Sequence, residues 1–303
     1  DLYSYHESFR APDARILVVD DTRINIMVVV NLLKKTQIMI DTAQNGNEGI
    51  LLASENKYDV ILLDQRMPGM DGTETLQHIR ELENKKNADT PVICLTADAI
   101  RGARERYISE GFNDYLTKPV EGNDLERMLI KYLPKEKVIT DVGSDSDSND
   151  GSDPVKPKKD DSTVSGIDAL KKEGFDIESA MKFCQDSEDL YLDVLTEFAN
   201  EYDTRGGKLE SYFSDKNWSE YGTLIHAVKS SSKIIGAMEL SELALKLEEA
   251  SKKGDAAFVE LEHGNAMQKY RDVCDKIRRA LGIGDAPATD DDDEILEFEA
   301  SGS

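Results

Sequence analysis

Two regions of the chain carry regular patterns of hydrophobic and polar residues, and the two patterns differ. Between residues 13 and 134, short apolar runs alternate with longer amphipathic stretches. Alternation of this kind is typical of a parallel sheet with helices on both faces, so we expect an α/β fold with a five-stranded, doubly wound parallel sheet. The pattern predicts strands at Ile16–Val19, Ile38–Ile40, Val60–Leu63, Val92–Leu95 and Tyr115–Leu116, and helices near 22–35, 46–56, 72–83, 98–110 and 121–133.

The second region, residues 166–284, has helical periodicity and no strand signal. Apolar residues recur at three- and four-residue spacing, which predicts amphipathic helices that pack into an all-α helical bundle. The predicted helices lie near 176–184, 187–204, 206–213, 216–233, 238–253 and 255–281.

Three further segments lack a regular pattern. Residues 135–165 are rich in Asp, Ser, Lys and Gly, and residues 285–303 contain eight acidic residues and no basic one. Such segments bury too little apolar surface to offset their ordering entropy, so we predict a disordered acidic linker and a disordered acidic tail. Residues 1–12 are interpreted as the end of an upstream linker, and the chain is expected to be a fragment of a longer protein.

The net charge of −24 over 303 residues disfavours generic binding to nucleic acid or to anionic lipid, since both need a positive surface. Eleven of these charges lie in the predicted linker and tail, so the two patterned regions are only mildly acidic. The longest apolar stretch, near Ile26–Leu33, is far shorter than the roughly 20 residues that a membrane helix needs. Three widely spaced cysteines favour a reducing compartment, and we expect a cytoplasmic protein without direct membrane contact.

Polar residues follow the predicted strands of the first region at the points where they end. Asp20 and Asp21 follow the first strand, Asp64 the third, Thr96 the fourth and Lys118 the fifth. The carboxyl ends of parallel strands meet at one edge of the sheet, where three carboxylates would repel one another unless a cation joined them. Mg²⁺ suits such oxygen ligands, and a cation, a lysine and a hydroxyl around a carboxylate form a phosphoryl-transfer site. Asp64 is then a candidate nucleophile that forms an aspartyl phosphate.

Four segments of this region resemble, in order, the signature segments of response-regulator receiver domains: ILVVDD, LLDQRMPGMDG, LTA and DYLTKP. The resemblance implies a flavodoxin-like fold in which Asp64 accepts the phosphoryl group. It also implies that Asp21, Asp64 and the backbone carbonyl of Arg66 bind Mg²⁺ directly, while Asp20 acts through water.

The same resemblance assigns roles to residues around the phosphoryl group. Thr96 would act as a switch that follows this group, Lys118 would contact a phosphate oxygen, and Tyr115 would change rotamer together with Thr96. The Lys118–Pro119 bond is a candidate cis peptide. Arg66 and Asp98 flank the site, and we hypothesise that they pair across it and restrict water; two solvated charges are the alternative.

One histidine of the second region stands apart from the other three. The apolar stripe of the helix predicted at 216–233 contains Tyr221, Leu224 and Val228, and His226 lies off that stripe. Its helical neighbours Gly222, Lys229, Ser230 and Lys233 are small or basic, so His226 is expected to be open to a large partner, with the lysines neutralising an incoming phosphoryl group. We interpret the remaining histidines, His6, His78 and His263, as ordinary exposed side chains.

The run HAVKSSSKIIGA resembles the motif of histidine phosphotransfer (HPt) domains, H-x-L-K-G-S-S-x-x-x-G. Five positions match and two differ: Val228 replaces Leu, and Ser230 replaces the usual Gly. The matching residues are His226, Lys229, Ser231, Ser232 and Gly236.

A receiver followed by an HPt domain resembles the C-terminal part of a bacterial hybrid sensor histidine kinase of a two-component system. The chain contains no recognisable ATP site, so it is expected to be a phosphotransfer module, and its parent a protein-histidine kinase. In this phosphorelay, Asp64 accepts a phosphoryl group from the kinase core, on the same parent chain, and passes it to His226. His226 then donates it to the Asp of a downstream response regulator.

Other interpretations stay open at this point. In one, the receiver allosterically controls its parent kinase and His226 is a side branch. A stand-alone regulator with a DNA-binding output is disfavoured by the acidic second region. The predicted linker spans about 30 Å as a random coil, which lets Asp64 and His226 meet within one chain.

Overall fold

We describe the protein from a computed structural model, which defines the backbone of residues 9–97, 103–140 and 161–283 and the side chains of 9–97, 104–140 and 166–283. The first region is a five-stranded parallel sheet in the order β2-β1-β3-β4-β5, which confirms the doubly wound prediction. The strands are β1 (Arg15–Val19), β2 (Met39–Ala43), β3 (Val60–Asp64), β4 (Val92–Thr96) and β5 (Asp114–Thr117). The helices are α1 (Arg23–Leu32), α2 (Gly46–Glu55), α3 (Gly72–Glu81), α4 (Ala103–Ser109) and α5 (Gly122–Tyr132).

Differences in burial explain which strands the sequence predicted accurately. β3 and β4 are buried along their whole length, and both appear in the sequence as uninterrupted apolar runs. β2 is an edge strand and is half exposed, so it extends through the polar residues Asp41 and Thr42, beyond the predicted run at 38–40. Asp41 is held there by Arg15 of the neighbouring strand, 2.7 Å away.

The second region contains no strand among its described residues and consists of helices. They are α6 (Asp161–Lys172), α7 (Ile177–Phe183), α8 (Glu188–Ser214), α9 (Trp218–Ile234), α10 (Met238–Lys253) and α11 (Ala256–Leu281). Helices α8 to α11 pack around an apolar core that includes Phe198, Tyr221, Leu247 and Tyr270. The prediction of a helical bundle is confirmed.

The predicted break between 204 and 206 is wrong, because α8 continues through Gly206 and Gly207. Two adjacent glycines lower helix propensity by about 1 kcal/mol each. The helix continues because residues on both sides of the glycines, Arg205 and Leu209, are buried in the bundle. Tertiary packing therefore outweighs local propensity at this point.

The two domains contact each other along α1. This helix lies against α8 and α9, and one hydrophobic cluster runs from the sheet into the bundle. Ile234 of α9 shares a small apolar cavity with Val28 and Val120. Polar contacts border this surface: Arg23 lies 3.8 Å from Glu197, and Asn31 donates to Gln185 at 3.3 Å.

Residues just outside the first domain have defined positions. Phe9 and Ala11 are buried, and Arg10 pairs with Ile139 in an antiparallel bridge. Lys135–Lys137 form a 3-10 turn, and Lys137 contacts Asp59 at 2.8 Å. The predicted tail and residues 141–160 of the predicted linker lie outside the described residues. No helix in the described part of the chain is long and apolar enough to span a membrane.

Candidate functional site

Three carboxylates meet at the carboxyl edge of the sheet. Asp20 and Asp21 follow β1, Asp64 ends β3, and one oxygen of each lies within 4.8 Å of the others. The register explains the meeting, because Val19 lies opposite Leu63 in the adjacent strand and both carboxylates follow directly. Asp20 and Asp64 are fully buried. Three acidic groups so close together, two of them buried, are costly without a counterion, so this donor set fits a divalent cation.

Local packing fixes the end of β3. Asp71 caps α3 by accepting from the N–H of Glu74, whose side chain in turn accepts from the N–H of Asp71. A Cβ on Gly72 would lie 2.3 Å from the carbonyl oxygen of Asp64, so only glycine allows this turn to pack against the strand. The N–H of Arg66 donates to Asp64 Oδ1 at 3.2 Å.

Lys118 enters the acid cluster from the end of β5. Its Nζ lies 2.8 Å from Asp64 Oδ2 and 3.2 Å from Asp20 Oδ2. The peptide bond between Lys118 and Pro119 is cis, as predicted. Asn25 of α1 also binds Asp20, donating to Oδ1 at 2.9 Å and to Oδ2 at 3.1 Å.

The electrostatics of the cluster show that one lysine does not balance three carboxylates. Burial, followed by the charge of Asp20, raises the pKa of Asp21 to about 6. Burial also raises the pKa of Asp64 above its ordinary value, although Lys118 opposes this shift. The neighbouring carboxylates in turn raise the pKa of Lys118 despite its burial. The cluster therefore favours a bound cation, and the acidic donor set is compatible with Mg²⁺.

Thr96 ends β4 at the same edge, Tyr115 lies in the adjacent strand β5, and the structure adds a third residue to them. The Thr96 hydroxyl is 2.7 Å from the Tyr107 hydroxyl, and the rings of Tyr107 and Tyr115 are 5.8 Å apart. Tyr107 is buried in α4 and was missed by the sequence analysis. No motif marks it, because a tyrosine on an amphipathic helix is ordinarily a core residue.

His226 is buried, although the sequence places it off the apolar stripe of its helix. Its side chain is 3 % exposed, because α9 faces the first domain. Its Nδ1 lies 2.9 Å from Glu248 Oε1. Its Nε2 is buried and has no hydrogen-bond partner among the described residues. Since a carboxylate only accepts, Nδ1 carries the proton and Nε2 keeps its lone pair.

Glu248 of α10 is the centre of a charge cluster that the sequence analysis missed. Its side chain is 1 % exposed and contacts three cations besides His226. The sequence did contain a sign that Glu248 is buried, since it follows Leu240 and Ala244 at four-residue spacing on the buried face of α10. The contacts are Arg66 Nη1 at 2.7 Å, Lys229 Nζ at 2.5 Å and Lys252 Nζ at 2.8 Å.

These contacts set the protonation states of the pair. Burial lowers the pKa of His226 to about 4, although the hydrogen bond that His226 donates to Glu248 opposes this shift. The pKa of Glu248 falls below its ordinary range because its hydrogen bond to His226 and the charges around it outweigh its burial. Three cations already neutralise Glu248, so a protonated His226 is disfavoured. The imidazole is neutral at pH 7.

The acid cluster and the surroundings of His226, which the sequence predicted as separate sites, are joined by direct contacts. Arg66 follows Asp64 closely in sequence, yet its guanidinium binds Glu248 of the second domain, which holds His226. Lys118 is also close enough to lower the pKa of His226. The hypothesised partner of Arg66, Asp98, lies outside the described residues. Lys229, which we expected to face the phosphoryl group, instead contacts Glu248.

The other histidines were only partly understood from sequence. His78 is exposed, as expected, and His6 lies outside the described residues. His263 is buried, so its interpretation as an exposed side chain is wrong. Its ring stacks on Phe213 with centroids 3.9 Å apart, and its nitrogens contact Tyr221 and Glu210.

Comparison with known proteins gives both domains a family. Residues 16–130 match the response regulator receiver domain, and residues 193–280 match the Hpt domain. Signal transduction histidine-protein kinase BarA of Shigella flexneri is 26 % identical over 239 residues, which cover 79 % of this chain and 24 % of that kinase. Sensor protein GacS of Pseudomonas syringae pv. syringae is 32 % identical over 126 residues, covering 41 % of this chain and 14 % of GacS.

Among solved structures, the chain is similar to one from Saccharomyces cerevisiae, a co-crystal of the histidine phosphotransfer signaling protein Ypd1 and the receiver domain of its downstream response regulator Ssk1. The similarity has a TM-score of 0.39 and 26 % identity, and it covers 44 % of this chain and 96 % of the matched one.

The chain therefore belongs to the two-component phosphorelay proteins and consists of a receiver domain followed by an Hpt domain. This pair of domains, with the similarity to BarA, matches the receiver and HPt region of hybrid sensor histidine kinases. The chain spans about a quarter of the length of BarA. Domains of these two kinds have histidine kinases and response regulators as partners.

Proposed function

We propose that Asp64 accepts a phosphoryl group from a histidine kinase core and passes it to His226 of the same chain. The observation that carries this proposal is the chain of contacts between the two residues. The backbone N–H of Arg66 bonds Asp64, and its guanidinium binds the carboxylate that holds His226. Nε2 of His226, which has no hydrogen-bond partner among the described residues, is thereby linked to the candidate phosphoacceptor through Glu248 and Arg66.

The transfer step follows from the protonation states. Nε2 of neutral His226 attacks the phosphorus of the Asp64 phosphate, the P–N bond forms, and the bond from phosphorus to the Asp64 oxygen breaks. Asp64 leaves as a carboxylate, which Lys118 stabilises at 2.8 Å. The phosphorylated imidazole keeps its proton on Nδ1, where Glu248 stabilises the positive charge that develops.

The remaining site residues hold and orient the reacting groups. Thr96 donates its hydroxyl to a phosphoryl oxygen, and Tyr115 follows its movement. Asp20, Asp21, Asp64 and the carbonyl of Arg66 would hold Mg²⁺, which neutralises charge on the phosphoryl oxygens when bound. Lys229 acts through Glu248, which it contacts directly.

We place the module in the cytoplasm, with a kinase core on the same parent chain as donor and a separate response regulator as acceptor. Residues 13–134 and 166–284 are the proposed receiver and HPt domains.

Radiolabelled acetyl phosphate tests the proposed transfer, because it is a small donor that phosphorylates carboxylates without a kinase. In the full chain with Mg²⁺ we expect an acid-labile, base-stable label on His226. Asp64→Asn should remove this label, His226→Gln should leave only a base-labile label on Asp64, and EDTA should abolish both. Full labelling of His226 in Asp64→Asn would contradict transfer from Asp64. A label that stays on Asp64 in the wild type would favour the alternative, in which the receiver regulates its kinase.

A further inference from the structure

Ser230 lies one helical turn after His226 on α9, at the position where the HPt motif usually has glycine. The side chain is 4 % exposed and faces α1 of the receiver domain. A glycine there would present no side chain to the receiver. The departure from the motif therefore places a hydroxyl in the interface between the two domains.

The hydroxyl of Ser230 makes a direct hydrogen bond to the receiver. Its Oγ donates to Asn25 Oδ1 at 3.2 Å. The direction of this bond is fixed, because the Asn25 amide nitrogen already donates to both oxygens of Asp20 and only the amide oxygen faces Ser230. A continuous path of hydrogen bonds thus joins the helix of His226 to a carboxylate of the acid cluster.

Because this path of hydrogen bonds is buried, it can discriminate between receiver domains. Asn25 is 6 % exposed and Asp20 is fully buried, so water does not readily replace either partner. A receiver with an apolar side chain at the position of Asn25 would leave the Ser230 hydroxyl buried without an acceptor. The loss of a buried hydrogen bond and the desolvation of its unpaired group both disfavour such a partner.

We propose that Ser230 is a specificity-determining residue, whose hydroxyl recognises Asn25 and gives the HPt domain a preference for the receiver of its own chain. The bond also links docking of the two domains to the position of Asp20. A role of this hydrogen bond in phosphoryl transfer rests on the proposed function. Its contribution to docking of the two domains can be measured without any phosphorylation.

The test measures how often the interface opens. Diethylpyrocarbonate modifies neutral imidazole, and Nε2 of His226 is buried while the domains are docked. In the full chain at pH 7, Ser230→Ala should increase the modification rate of His226 about fivefold, which corresponds to one lost hydrogen bond of about 1 kcal/mol. Peptide mass spectrometry reports His226 separately from His263, whose rate should stay constant because it lies inside the bundle.

Two neighbouring serines provide matched controls. Ser231 donates to the carbonyl of Ala227 in its own helix, and the Ser232 hydroxyl has no partner among the described residues. Ser231→Ala and Ser232→Ala should leave His226 protection within twofold of the wild type. In an Asn25→Ala background, Ser230→Ala should add less than a twofold increase, because its acceptor is already absent.

An unchanged His226 rate in Ser230→Ala would overturn the proposal, and so would a fivefold increase that persists in Asn25→Ala. Failure of the acetyl phosphate experiment would not produce either result, because modification by diethylpyrocarbonate needs no phosphate. The two proposals are therefore tested separately.

Discussion

At the scale of single residues, Glu248 shows how a side chain outside every recognised motif can organise a reactive group. It holds the proton on Nδ1 of His226 and contacts cations of both domains. Its carboxylate is compensated on several sides, which explains how a charge persists at 1 % exposure.

Replacing Glu248 by Gln should slow transfer to His226 by about 10- to 100-fold, because hydrogen bonds to charged groups contribute roughly 1.5–3 kcal/mol. The amide keeps the shape but leaves the cations around it without their counterion. Single-turnover labelling after acetyl phosphate measures the rate. Glu249→Gln is the matched control, since Glu249 is exposed and pairs only weakly with exposed Lys253. Equal rates in the two variants would show that Glu248 has no part in transfer.

The sequence pointed to the candidate site residues more clearly than to their surroundings. Asp64, Lys118 and His226 were predicted as site residues because strand-end positions and short motifs mark them locally. Glu248 and Tyr107 were not found, because their roles depend on contacts with residues far away in the chain. The burial of His226 was also missed, since α9 lies against the first domain, which is distant in sequence.

At the scale of elements, α8 is the point where local propensity and tertiary structure disagree. The pair Gly206–Gly207 predicts a break, yet the helix continues. The two glycines differ in surroundings: Gly206 is buried near Met267, whereas Gly207 is exposed, with nothing within 4 Å of an added Cβ.

Gly207→Ala should therefore stabilise the fold by about 0.5–1 kcal/mol, because alanine has the higher helix propensity and loses less backbone entropy. Thermal or urea unfolding followed by circular dichroism measures this gain. Gly206→Ala is the comparison, and it should stabilise less because its Cβ would lie 3.4 Å from the Met267 side chain. Destabilisation by Gly207→Ala would indicate a break in the helix, as the sequence pattern suggested.

Most remaining elements were predictable to within a few residues because their burial is simple, but α6 (Asp161–Lys172) was not predicted, since no helix was expected before residue 176. β3 and β4 are buried on both faces and read as unbroken apolar runs. β2 was placed too early, because an edge strand tolerates polar residues that break the apolar pattern. The sequence also could not show that α1 packs on α8 and α9, since both surfaces look like ordinary amphipathic helix faces.

At the scale of the whole molecule, we expect docking of the two domains to depend on pH through His226. Its pKa is about 4 in the docked chain and about 6.5 when solvated. The docked form therefore binds fewer protons between these values. Docking is strongest above pH 6.5 and weakens as the pH falls toward 4.

At pH 5 this linkage should weaken docking by about 2 kcal/mol relative to pH 7.5. The radius of gyration from small-angle X-ray scattering should increase over this range as the domains separate. His226→Gln removes the titrating group, so its radius should change less, which separates this effect from protonation of the acid cluster. An identical pH response in the two proteins would contradict the linkage.

The bridge between Arg10 and Ile139 has a consequence for how the receiver domain is attached to its chain. Both residues lie at the amino-terminal end of the sheet, beside the start of β1, whereas the acid cluster lies at the opposite end. Five residues of strand separate the two ends, or about 16 Å at roughly 3.3 Å per residue. The chain thus enters the domain at Arg10 and leaves it at Ile139, which lie side by side. Both attachment points therefore lie away from the acidic edge, where the candidate phosphoacceptor Asp64 lies.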